Sequence, residues 1–195
     1  MKPSAGRARA KTIVYGIDSY TWGYDSSTGL RLTSPGGYVD QVEATLNSPY
    51  RKAINAGVNL RRLTECSWLG TFEPHRPDVL VLIGGLNDLI LESVNLATLQ
   101  SRASAVFTPA LSAGVSVVYG DIMWSVFGAG DPRRATAQSF NAWLDSQGFA
   151  GVAHFSDDAG LADSSGVNFQ ADETHPNQAG HGIMAGYVVS ALRYL

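Results

Sequence analysis

The chain has 195 residues, 45% hydrophobic and 16% charged, enough apolar material for one globular domain with a sizeable core. Its net charge is −3, but Lys2, Arg7, Arg9 and Lys11 crowd the first eleven positions and leave 10 basic against 17 acidic residues beyond them. That balance argues against nucleic acid as the main ligand, since phosphate binding needs a basic face, and no apolar run reaches the roughly 18 residues that span a bilayer.

Short apolar runs alternate with longer amphipathic segments along the chain. Residues 12–17 (TIVYGI) read as a first strand running into Asp18-Ser19, and residues 37–47 carry Val39, Val42 and Leu46 at helical spacing. Residues 53–58 (AINAGV) and 79–85 (VLVLIGG) suit a second and a third buried strand. A helix is expected over 95–114, capped by Asn95 and stopped at Gly114, with Pro109 kinking or breaking it. After a fourth strand at 115–120, residues 132–148 have an Asp131 cap and proline in the first helical turn. A fifth strand at 151–156 and a helix over 176–195 with one apolar stripe complete the series. Strands alternating with helices predict a three-layer α/β/α sandwich with a central five-stranded parallel sheet. The expected organisation is a flexible basic segment at 1–11 and a single domain at 12–195. The N-terminus has no apolar stretch of signal-peptide type, so the chain reads as soluble.

Ligand sites in such folds lie beyond the carboxyl ends of the strands, which is where candidate chemistry belongs. Ser19 directly follows the first strand. Asn87, in GGLND, follows the third, and its amide can donate to a developing oxyanion. Asp172 and His175, in DETHP, are three residues apart, so a turn can bring the carboxylate to Nδ1. That contact orients the ring and stabilises the imidazolium formed when Nε2 accepts a proton from Ser19.

In order and spacing these segments resemble the blocks of the SGNH (GDSL-type) hydrolase superfamily. IDSYTWG is similar to the first block, NAGVNLRRLT to the second, GLND to the third, and DETHPNQAGH to the fifth. The resemblance implies a flavodoxin-like fold and ester hydrolysis through an acyl-enzyme. It makes Ser19 the nucleophile, His175 the general base and Asp172 its orienting carboxylate. It also makes Asn87 and the backbone N–H groups of Ser19 and Leu60 the oxyanion hole, and implies no metal or organic cofactor. The implied partner is a small-molecule or carbohydrate ester. Two positions depart from the pattern: Ile17 and Leu60 stand where glycine is usual. If Ile17 needs a positive φ it is strained; if extended, it continues the strand into the core. Leu60 keeps its N–H donor but brings bulk beside the acyl site. These departures motivate an alternative reading as a weakened module that binds esters or carbohydrate, and acyl transfer with the same triad is a further alternative.

Other residues have plainer readings. Asp18 is expected to bond loop amides, His75 to lie on the surface, His154 to be a satisfied core histidine, and His181 to serve helix packing rather than a metal site. Ser112 ends a helix and precedes a strand, the reverse of a nucleophile elbow, so it is rejected. Trp22, Tyr24, Trp68, Trp124 and Phe127 fall in or near loops of the carboxyl edge, where they can line a pocket or pack.

Overall fold

The computed structural model describes residues 10–193 and 195. Residues 1–9, most of the segment expected to be flexible, lie outside the described residues, while Lys11 already belongs to the first strand. The elements in chain order are β1 (Lys11–Ile17), α1 (Ser19–Trp22), β2 (Tyr24–Asp25), β3 (Leu30–Arg31), α2 (Tyr38–Leu46), β4 (Arg51–Gly57) and β5 (Val79–Ile83). They continue with α3 (Leu86–Glu92), α4 (Leu96–Ser112), β6 (Ser116–Gly120), α5 (Pro132–Leu144), β7 (Gly151–Ala153) and α6 (Gln178–Leu192).

Five strands form one parallel sheet in the order β4-β1-β5-β6-β7, flanked by helices as a three-layer α/β/α sandwich. A parallel sheet covered on both faces needs uninterrupted apolar strands. β5 (VLVLI) is buried at every position, and β1 is buried from Thr12 onward. Helix α2 packs against α6, and α4 against α5. On α6 the buried residues His181, Met184, Ala185, Val188, Val189 and Leu192 recur at helical spacing, so the expected stripe is present.

Three local expectations need correction. Helix α4 runs unbroken through Pro109 to Ser112, so the proline forgoes its own N–H bond without ending the helix. β7 ends at Ala153, ahead of His154, whose side chain is 40% exposed and whose Nε2 meets Asp145 Oδ1 at 3.0 Å. His154 is therefore an edge residue in a polar pair rather than a core histidine. Third, α1, α3 and the β2–β3 hairpin add elements too short to show a period. Among the described residues, no helix is long and apolar enough to cross a membrane.

The register aligns the carboxyl ends that matter: Ile17 pairs with Gly57 on one side and Ile83 on the other. The chain leaves β1 for the β4 edge and returns to β5 on β1's opposite flank. The crevice at this reversal receives the segments after β1 and β5, which carry Ser19 and Asn87.

Candidate active site

β1 ends abruptly, and Asp18 caps the single turn that follows by accepting the Tyr20 N–H at 3.1 Å. Burial drives the Asp18 carboxyl up to about 7, against the backbone N–H groups that stabilise its charged form. Ser19 takes the first position of α1 and is only 3% exposed. Its Oγ lies 3.0 Å from His175 Nε2. On the other side of the ring, Nδ1 lies 2.7 Å from Asp172 Oδ2.

The sequence DETH makes this relay local. Asp172 Oδ1 accepts the backbone N–H groups of His175 at 2.9 Å and Thr174 at 3.0 Å, which folds the turn and aims Oδ2 at the imidazole. Partial burial raises the Asp172 pKa, but the backbone N–H of His175, its ring and the Thr174 N–H together hold it below the usual value. The carboxylate is thus charged where an imidazolium would need it. Tyr20 donates from its hydroxyl to Thr174 O at 2.8 Å and sets its ring edge against the imidazole. The Tyr24 ring centroid is 4.6 Å from that of His175, and Trp22 stacks on Tyr24. Trp68 and Phe127 are instead buried in the core.

Two further loops converge on the Ser19 turn. Val58 N–H donates to Ile17 O at 3.0 Å, tying the segment after β4 to the end of β1. Asn87 Nδ2 donates to Arg61 O at 3.1 Å, next to Leu60, and a carboxamide nitrogen keeps a second proton for another acceptor. Leu60 adopts φ 61° and is 59% exposed, so its bulk stands at the rim instead of filling the loop interior. Ile17 combines both possibilities read from the sequence: its φ is 115°, yet its side chain is fully buried. Gly84 makes the room, since a Cβ there would come within 2.7 Å of Ile17 Cγ2.

The other histidines are spread apart. His75 is exposed, and His181 is buried against Tyr38. Among the described residues, no three His, Cys, Asp or Glu side chains gather as metal ligands. A cleft of about 570 Å³ opens beside Asp172, lined by Asp25, Ser26, Ser27, Gln170 and Asn177 among others. Another of about 580 Å³ lies past β6 and β7 between Trp124, Asn141 and His154, and includes no member of the Ser19–His175–Asp172 relay.

A hydroxyl hydrogen-bonded to an imidazole that is itself held by a carboxylate can be deprotonated as it attacks a carbonyl carbon. The model of the GDSL-like Lipase/Acylhydrolase family matches residues 18–183, well over half of the chain. The chain belongs to that family. It is accordingly a carboxylic ester hydrolase by family. Similar solved structures share the fold at low identity. A variant of Axe2, an acetyl-xylooligosaccharide esterase from Geobacillus stearothermophilus, superposes with a TM-score of 0.72 at 17% identity, covering 95% of each chain. The psychrotrophic esterase EstA from Pseudoalteromonas sp. gives 0.71 at 17% identity, covering 94% of this chain and 97% of its own. A lipolytic protein of the G-D-S-L family from Veillonella parvula gives 0.69 at 21%, covering 95% and 100%. Among curated proteins, no sequence matches this one.

Reading the sequence alone finds the residues that carry short motifs and misses those that support them. Gln170 and the Tyr20 hydroxyl both hold the loop of His175; Tyr20 falls within IDSYTWG without a role of its own there, and Gln170 stands outside the quoted segments. Asp88, adjacent to Asn87, is fully buried and bonds the Leu63 N–H at 2.9 Å and Arg102 Nη1 at 2.7 Å. Its position in GLND was the available signal.

Proposed function

We propose that the protein hydrolyses small acyl esters of a hydroxyl-rich alcohol, such as a carbohydrate, through an acyl-enzyme on Ser19. The observation that carries this reading is the unbroken path from Ser19 Oγ to His175 Nε2 (3.0 Å) and from Nδ1 to Asp172 (2.7 Å). Oγ attacks the ester carbonyl as its proton passes to Nε2, and Asp172 stabilises the resulting imidazolium. The imidazolium then protonates the departing alcohol oxygen. Water, activated by the same nitrogen, attacks the acyl carbon and releases the acid and free Ser19. The N–H groups of Ser19 and Leu60 and the second proton of Asn87 Nδ2 receive the oxyanion, because a backbone N–H serves whatever side chain it carries.

A nucleophile only 3% exposed favours a slender acyl group. The cleft of about 570 Å³ beside Asp172 leaves room for the alcohol, and the acetyl-xylooligosaccharide esterase among the similar structures supports a carbohydrate in that role. With p-nitrophenyl acetate, Ser19→Ala and His175→Ala are each expected to lower kcat at least about 10³-fold. Both should abolish labelling by a fluorophosphonate probe. A Ser19→Ala protein that turned over at the parental rate would remove the reading.

A further inference from the structure

The turn that carries Asp172 and His175 is anchored by a side chain outside the family motif. Gln170 lies two residues before Asp172, and each of its polar groups is engaged. Its backbone N–H donates to His175 O at 2.8 Å, and its carbonyl accepts the Glu173 N–H at 3.0 Å. Its side-chain Nε2 donates to Pro176 O at 2.9 Å and to Tyr24 O at 2.7 Å, while Oε1 accepts the Ser26 N–H at 2.5 Å. One amide therefore joins the backbone on both sides of the histidine turn to the β2 strand. That strand carries Tyr24, whose ring lies 4.6 Å from the imidazole.

We infer that Gln170 is a positioning residue for the hydrolysis: its side-chain amide locks the histidine turn to the Tyr24 strand and so sets where the imidazole stands over Ser19. It touches no reacting atom, and the inference rests on the reading that Ser19 and His175 carry the reaction. The chemistry demands an amide at this length. Two carbonyls need donors and one N–H needs an acceptor, and only glutamine offers both from a five-atom head on this stem. A glutamate keeps the shape but sets a carboxylate oxygen against the carbonyls of Tyr24 and Pro176. A methionine fills the space with neither donor nor comparable acceptor. A displacement near 1 Å of a catalytic group costs roughly 10²-fold in rate, so a loosened turn registers in kcat before it registers in substrate binding.

The test compares the parent with Gln170→Glu and Gln170→Met, using p-nitrophenyl acetate turnover and the rate and final stoichiometry of fluorophosphonate labelling at Ser19. Both variants are expected to lose about 10- to 100-fold in kcat with KM within about threefold. Labelling should slow in parallel yet still reach the parental stoichiometry, because every molecule is folded but its base is misplaced. Parental kcat in both variants overturns the inference. So does a reduced labelled fraction that reacts at the parental rate, or failure of both variants to fold, since either outcome makes Gln170 merely structural. A parent that neither turns over nor labels would sink the esterase reading and this inference with it, whereas an active parent with unaffected variants sinks this inference alone.

Discussion

Ile17 is where this chain departs most sharply from the glycine its family places before Asp-Ser, and its backbone explains that preference. At φ 115° a β-branched side chain is in a region that glycine occupies freely, and such strain costs on the order of 1–3 kcal/mol. What offsets it is burial: the side chain is fully enclosed, with Gly84 leaving space for its methyl groups. Truncating a buried isoleucine costs about 2–5 kcal/mol, so both Ile17→Ala and Ile17→Gly should destabilise. Their order is the informative quantity. Inside a strand Ala normally exceeds Gly by about 0.5–1 kcal/mol, but only Gly is relieved of the positive φ here. Urea denaturation should find Ile17→Gly the more stable of the two, and the opposite order would mean that the backbone at residue 17 is unstrained.

At the scale of elements, the site is three chain segments held together by buried polar groups. Asp88 on α3 bonds Leu63 in the segment after β4 and Arg102 on α4, and Arg102 continues to Glu92 at 2.6 Å. Arg62 pairs with Glu65 within its own segment and with Glu92 on α3, so the stretch that carries Leu60 is tied to that helix. Asp88→Ala leaves the Leu63 N–H unpaired and Arg102 short of one carboxylate, at a cost of about 2–3 kcal/mol. Because Asn87 and Leu60 flank this contact, kcat should also fall about 10- to 100-fold. Chemical denaturation and p-nitrophenyl acetate kinetics measure the two effects, and an Asp88→Ala protein with parental stability would show that the network is dispensable. The GLND motif makes Asn87 legible. Arg102, fourteen residues beyond Asp88, is not, because a single arginine on a helix has no signature until the helix is docked.

For the whole molecule, burial of titratable groups sets how stability responds to pH. His181 is enclosed beside Tyr38; burial first, and then the charge of His175, lowers its pKa from 6.5 to about 3. The unfolded chain therefore holds a proton at this site between those values that the folded chain does not, and stability falls as pH drops below 6.5. Asp18 and Asp121 act in the opposite sense, since burial raises them from 3.8 to about 7 and about 8. In the folded state they keep their protons longer, so they take stability away as pH rises above 3.8. Comparing the parent with His181→Leu isolates the histidine. The parent should lose about 1.4 kcal/mol per pH unit relative to the variant below pH 6.5, or about 2 kcal/mol by pH 5. Urea denaturation at pH 8 and pH 5 reads this directly, and a difference that does not change with pH would show that His181 titrates normally in the folded protein.

Much of the fold and the centre of the candidate site were legible in the chain. Strands buried on both faces must be continuous apolar runs, so β1, β5 and β6 appear in composition alone, and their alternation with helices dictates a parallel sheet. Asp172 and His175 were legible as a pair because their contact spans a single turn. His154 was misjudged because the end of a strand depends on its neighbour: β7 pairs with β6 over only three residues. The layer architecture and the local Asp–His contact follow from short-range pattern. Folding in three dimensions was needed to bring Ser19 to 3.0 Å from a histidine 156 residues away, to give Ile17 its positive φ, and to bond the Gln170 amide to Tyr24, Ser26 and Pro176. Those contacts depend on packing between distant segments, whose pairing no local periodicity encodes.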